Sequence, residues 1–300
     1  MTAAAFSWVP APDSGISVRF VEANGQRFEL AECGSGDRLA LCLHGFPELN
    51  FSWRHQMPLL AARGWRVWAP NLRGYGATSR PEGIDAYRID RLVEDVAALI
   101  DVSEAREVML VAHDWGAIIA WVFAIRQLRP LVRLVIMNVP HPKCAEREIR
   151  HWHQLRKSWY ILFFQIPGLP ERLLRAKGAE AVKNAFLSSA ANKGRFPPDV
   201  LQVYADAALR PGALIAMLNY YRALLRRPDM QAIGDGMVHV PTLMIWGEDD
   251  VAIDIRCTDG TGQWVPALEL HRLPGVSHWV QQDAPEQVNE ILSDWLDRPA

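Results

Sequence analysis

The chain has 300 residues, half of them hydrophobic and about a fifth charged, with a formal net charge of −2. That composition supplies a packed globular interior, and the near-neutral charge gives no sign of a nucleic-acid or acidic-membrane partner. The opening residues lack the pattern expected of a secretory leader, and no apolar run approaches the roughly 20 residues needed to span a bilayer. Cys33, Cys42, Cys144 and Cys257 form no C-x-x-C pair, which points to reduced thiols in a cytoplasmic protein, with neither a disulfide framework nor a metal site.

In chain order, "SVRFVEANGQRFELAE" alternates apolar and polar residues on both sides of Asn24-Gly25, which predicts a β-hairpin. "RLALCLHG" reads as a strand buried on both faces. Helical spacing runs from about Trp53 to Arg63 and stops at Gly64, before a short strand, "WRVWAP". A Gly- and Arg-rich loop, "NLRGYGATSRPEG", leads to an amphipathic helix near Asp90 to Ile100. The strand Val108–Ala112 follows, then a helix from Gly116 to Ala124, then the strand "LVRLVIMNVP". From about 143 to 235 only helices are predicted, punctuated by prolines, among them Pro170, Pro198 and Pro228. Strands return at "VPTLMIWGEDD" and "ALELHRLPG", and "APEQVNEILSDWL" closes the chain as a helix. Strands alternating with helices predict an α/β fold with a mostly parallel sheet. The expected organisation is a core in two parts, 1–140 and 237–300, with a helical lid inserted at 141–236.

Four short motifs carry chemistry. In Ala112-His113-Asp114-Trp115-Gly116, small residues lie two before and two after Asp114, as a tight strand-to-helix corner requires. An Asp there is at a helix N-terminus, where free N–H groups favour negative charge. On this stretch alone it fits a helix cap as well as a nucleophile. "LCLHGFPE" ends a strand on a loop of the kind that supplies one oxyanion-hole amide, with the residue after the nucleophile supplying the second. These would be the amides of Phe46 and Trp115, and His44 would brace the loop. "MIWGEDD" and "LPGVSHW" then put Asp250 and His278 after strands, in the order nucleophile, acid, base. Asp249 sits beside Asp250 as an alternative acid.

The chain resembles the α/β-hydrolase superfamily, and most of all its epoxide hydrolase branch. The likeness runs from "LHGFPE" through "NLRGYGATS", "VAHDWG" and "NVPHP" to "GEDD" and "GVSHWVQQDAPEQVN". It implies Asp114 as nucleophile, Asp250 as acid and His278 as base. "SWYILFFQIPGLPE" and "MLNYYRALLRRP" resemble lid stretches of that branch, and imply Tyr160 and Tyr221 as catalytic tyrosines. Asn71 stands where the family usually has Asp, at a position that braces a loop. The implied reaction is hydrolysis of a small apolar epoxide by water, through an alkyl ester on Asp114 and without metal or cofactor. A haloalkane or haloacid dehalogenase could use the same Asp-His-Asp set. The haloalkane enzymes usually carry Asn where this chain has Phe46, and fluoroacetate dehalogenases carry Arg where it has Trp115. A non-catalytic binding module would typically lack one triad member, and none is missing. The sequence is silent on oligomeric state. His151 and His153, two apart, would lie on different helix faces and make a poor metal site.

Overall fold

Asn24 and Gly25 both adopt positive φ, 48° and 66°, the turn that an Asn-Gly pair makes between antiparallel strands. They join β1 (Ile16–Ala23) to β2 (Gln26–Cys33). The computed structural model describes residues 6–226 and 234–298; Arg227 and Pro228, within the expected lid, lie outside them. β3 (Arg38–Leu43), β4 (Arg66–Pro70), β5 (Glu107–His113), β6 (Arg133–Met137), β7 (Thr242–Gly247) and β8 (Leu268–Leu273) complete an eight-stranded sheet. Its order is β1-β2-β4-β3-β5-β6-β7-β8. Pairing is antiparallel at β1–β2 and β2–β4 and parallel everywhere else.

Strand periodicity divides the core between the two sheet faces. Leu39, Leu41 and Leu43 of β3, with Leu110 and Ala112 of β5, pack on one side. Ala40 and Cys42, with Met109 and Val111, pack on the other. The first side carries α2 (Ile89–Ser103) and α3 (Trp115–Ile125), and the second carries α1 (Met57–Ala62) and, at the chain end, α11 (Pro285–Leu296). Both faces being covered explains why β3 and β5 read as unbroken apolar runs.

Two boundaries differ from the sequence reading. The helix expected from Trp53 is split into a 3-10 turn, Asn50–Trp53, and α1, because Pro58 can occupy only the first turn of a new helix. The strand expected across 131–140 narrows to β6, ahead of Pro140.

Between β6 and β7 lie α4 (Pro142–Glu148), α5 (Trp152–Lys157), α6 (Trp159–Phe163), α7 (Leu169–Ser189), α8 (Pro198–Leu209) and α9 (Ala213–Arg226). Helix α7 is broken inside, where Lys177, Gly178 and Ala179 take left-handed conformations. The short α10 (Val280–Asp283) precedes α11. Among the described residues no helix is long and apolar enough to cross a membrane. All four cysteines are buried and unpaired.

Candidate active site

The corner between β5 and α3 decides what Asp114 can do. Asp114 occupies the N-cap position of α3, but its side chain makes no capping hydrogen bond. Its backbone sits at φ 47°, ψ −121°, a region costly for a residue with a Cβ and found where a site demands it. This conformation aims the carboxylate at the β3–α1 loop and at His278 instead of at the helix amides. Two glycines permit it. A Cβ on Gly45 would run into the Asp114 side chain, and one on Gly116 would run into the backbone of Leu43.

Oδ1 of Asp114 accepts a hydrogen bond from the Phe46 amide at 2.7 Å. Oδ2 lies 3.5 Å from Nε2 of His278. On the far side of the ring, Nδ1 of His278 donates to Oδ2 of Asp250 at 2.6 Å. Asp250 is buried and accepts three more bonds: from the Asn138 amide at 2.8 Å and from the backbone of Ala252 and Ile253 at 2.7 and 2.8 Å. Asp249, the neighbouring candidate acid, is exposed. Asp114, His278 and Asp250 therefore form one contiguous line.

Electrostatics sets the charges along that line. Burial favours a neutral imidazole, but the Asp250 and Asp114 carboxylates outweigh it and push His278 up to about 10. Burial likewise opposes ionisation of both acids. The imidazolium overcomes it, aided at Asp114 by the Phe46 amide and at Asp250 by Asn138, so both stay below the ordinary carboxylate range. Asp114 is thus an anion beside a protonated imidazole.

Asp114 and Trp115 floor a cavity of ≈ 370 Å³ walled by apolar side chains such as Ile118, Trp121 and Val139. Tyr160 on α6 and Tyr221 on α9 line it from the inserted helices, with ring centroids 5.9 Å apart. Tyr221 also meets the rings of Phe46 and Trp115 edge-on. Burial and the Asp114 charge raise both phenols, so each remains a hydrogen-bond donor. The adjacent Tyr220 lies outside this set, its hydroxyl donating to the Arg73 carbonyl at 2.8 Å. Trp115 opens α3 immediately after Asp114, so its amide belongs to the free N-terminal donors of that helix.

His44 braces its loop: Nδ1 donates to the Gly45 carbonyl and Nε2 accepts from the Leu72 amide. Burial lowers it to about 4, which keeps it neutral. Asn71 also braces, accepting from the Asn50 amide and donating to the buried Glu29 carboxylate at 2.6 Å. A second carboxylate at 71 would face Glu29 directly, so the amide suits this neighbour.

The sequence reading assigned no role to Glu48, His113 or Asn138, although each lies within a quoted motif. His113 bonds through Nδ1 to Glu48 at 2.7 Å and through Nε2 to the carbonyl of His278 at 2.8 Å. Glu48 also holds the Gly45 amide and the side chains of Gln281 and Gln282. Burial pushes Glu48 up, but His113 and the Gly45 amide more than offset it and hold it below the usual range. This buried pair ties the Phe46 loop, the Asp114 corner and the His278 loop together.

One expectation fails. His151 and His153 do not lie on different helix faces; their rings stack, with centroids 5.6 Å apart. His151 is the extended N-cap of α5 and not part of the helix, so helical spacing does not apply to it. Among the described residues no cluster of three or more His, Cys, Asp or Glu side chains could hold a metal ion.

The alpha/beta hydrolase fold family profile matches residues 41–285. The chain is 35% identical over 284 residues to the AB hydrolase superfamily protein YfhM of Bacillus subtilis, covering 94% of this chain and 98% of that one. It is 34% identical over 295 residues to Epoxide hydrolase 4 of Mus musculus, covering 96% and 79%. The crystal structure of an epoxide hydrolase from Vigna radiata superposes with a TM-score of 0.81 at 34% identity, covering 94% and 98%.

Proposed function

The chain belongs to the alpha/beta hydrolase fold family, in its epoxide hydrolase branch, and we propose that it opens an apolar epoxide to a vicinal diol through an ester on Asp114. The observation that carries this reading is the shared cavity. A carboxylate held by the Phe46 amide and by His278 meets two protonated phenols across an apolar space.

Attack by Asp114 on a carboxylic ester would expel its alkoxide and give a labile anhydride, whereas attack on a saturated epoxide carbon gives a stable alkyl ester. In this first step the Asp114 Oδ–C bond forms and the C–O bond of the ring breaks. The electron pair goes to the epoxide oxygen, which takes a hydrogen bond and then a proton from Tyr160 or Tyr221. In the second step water attacks the ester carbonyl while His278, oriented by Asp250, removes its proton. The Phe46 and Trp115 amides face the oxyanion of the tetrahedral species. On collapse the departing diol oxygen takes the proton held by His278, and the acid proton left on Asp114 returns through solvent to the phenolate, which restores both the carboxylate and the tyrosine; one diol oxygen comes from the carboxylate. The inserted helices, which carry both tyrosines over the sheet's carboxyl edge, act as the lid.

The test is one turnover in heavy-oxygen water with enzyme in excess. Label is expected in the Asp114 carboxylate and largely absent from the diol, and His278→Gln should accumulate an alkylated enzyme visible by intact mass. Label entering the diol directly would mean that water opens the ring, and would sink the ester mechanism.

A further inference from the structure

Helices α5 and α6 carry apolar side chains on the face that should be polar. Their inner side supplies Gln154, Ser158, Tyr160 and Ile161 to the cavity. Their outer side, continuing to the start of α7, presents Trp152, Leu155, Trp159, Leu162, Ile166 and Leu169 to solvent. Trp152 is 75% exposed, Leu162 69% and Trp159 63%. At these exposures the two indoles alone uncover roughly 300 Å². With the aliphatic residues added, the face exceeds what a monomer ordinarily leaves open. An outer helix face this apolar belongs against another apolar surface or phase.

The charge around this face indicates what covers it. Between Ile149 and Lys177 the chain carries six arginines or lysines and a single acid, Glu171, although the whole chain is at −2; of the six, Lys157 turns inward to the Asp250 carbonyl at 2.7 Å and Lys177 pairs with Glu180 at 3.8 Å, which leaves the four arginines. Glu171 turns inward to Arg222 at 2.6 Å, where both are largely buried. Arg150 meets Glu146 only loosely, at 3.5 Å between exposed groups, and Arg156 and Arg172 are exposed. A second copy docking here would bring two basic faces together, and like charges meeting across an interface oppose association. An anionic lipid surface offers both partners at once. Its headgroups attract the arginines and its acyl boundary accepts Trp and Leu.

We propose that the outer face of α5, α6 and the start of α7 docks this protein peripherally on an anionic lipid bilayer. The cavity opens beside that face. Two of its lining residues, Glu146 and Ile149, are exposed at the end of α4, immediately before Trp152. An apolar substrate could then pass from lipid into the cavity without crossing water; that consequence rests on the function proposed above, whereas the docking does not.

Flotation with vesicles tests it. The protein should float with equimolar phosphatidylcholine and phosphatidylserine, stay in solution with phosphatidylcholine alone, and be released by salt. Each basic residue near an anionic surface is worth about fivefold in partitioning, so Arg150→Gln/Arg156→Gln/Arg172→Gln should weaken binding roughly 100-fold. Trp152→Ser/Trp159→Ser should weaken it at least tenfold. All these positions are exposed, and thermal melts that match the wild type keep a lost interaction from being read as unfolding. Absence of flotation, flotation indifferent to phosphatidylserine, or unaltered binding of the tryptophan variant would overturn the proposal. So would a dimer in sedimentation velocity that the tryptophan variant dissolves, since it assigns the face to a second copy.

Discussion

Replacing Asp250 with Asn removes one charge and turns one acceptor into a donor at a point where the structure allows no adjustment. Oδ1 of Asp250 serves the amides of Ala252 and Ile253, so an asparagine oxygen is held there. The new NH₂ then faces the Nδ1–H of His278 and the NH₂ of Asn138. Asn138 cannot flip to help, because its amide also donates to the Gly247 carbonyl and accepts from the Gly247 amide. Two buried donors lose their acceptor, each at about 1–3 kcal/mol. In the hydrolytic step the imidazolium loses its counter-charge, and the loss there translates to roughly 30-fold to 10⁴-fold in rate. Alkylation, which needs the Asp114 anion and the two phenols but no proton removal by His278, should slow far less. Rapid-quench kinetics with an epoxide the wild type accepts separates the two steps, and alkylated enzyme should accumulate in the variant. Asp249→Asn, at an exposed side chain, should be neutral within about 0.5 kcal/mol. Turnover of Asp250→Asn within threefold of wild type, or an equal loss in Asp249→Asn, would refute the reasoning.

Tyr160→Phe or Tyr221→Phe should slow alkylation by up to about 10²–10³, the cost of one donor to a developing oxyanion; the double variant should be nearly inactive yet folded, and a near wild-type double variant would leave the tyrosines as packing residues. Asn71→Asp should set two buried carboxylates against each other across the 2.6 Å contact with Glu29, destabilising by about 3 kcal/mol, and Glu29→Gln should restore much of the loss in a melting experiment. His278, raised from 6.5 to about 10 in the fold, contributes stability that is complete below its ordinary value and lost as pH climbs toward 10; the melting temperature should fall over that interval, and His278→Gln should flatten the fall. Asp114 and Asp250, both held below the usual range, contribute above about pH 4 and lose that contribution as pH drops further.

Much of the candidate site's geometry was legible because its signals are local. The corner at Asp114 shows in the small residues around it, and the hairpin shows in Asn24-Gly25. Chain order placed Asp250 and His278 after strands that the sheet then aligns. What stayed hidden depends on pairing across the chain. Glu48 and His113 are 65 residues apart and meet only because β3 and β5 are neighbours. The choice between Asp249 and Asp250 turns on which side chain reaches Asn138, 112 residues away. The replacement of the family's Asp by Asn71 became intelligible only with Glu29 beside it. Whole-chain charge likewise conceals the basic, apolar outer face of α5 and α6, where the excess on a short segment is cancelled by acids elsewhere.

The charge distribution also orders the two steps of the proposed reaction. A base pushed up to about 10 is protonated at neutral pH, which suits the first step, because the imidazolium keeps Asp114 ionised as a nucleophile. It would disable the second step if nothing changed. Alkylation makes the change. An ester on Asp114 carries no charge, so His278 loses one of the two carboxylates that hold its proton, while Asp250 and the Asn138 bond to it remain. The affinity of the ring for its proton falls, and a neutral imidazole, still oriented through Nδ1, faces the ester. The first step thereby switches on the base for the second. The pH dependence of ester hydrolysis, measured in single turnovers, should therefore report a base pKa well below that of His278 in the free enzyme followed by NMR. Asp114→Asn, which mimics the uncharged ester, should lower the free-enzyme value in the same direction. Identical values before and after alkylation would mean that Asp114 does not hold the proton, and the coupling between the steps would have to be abandoned.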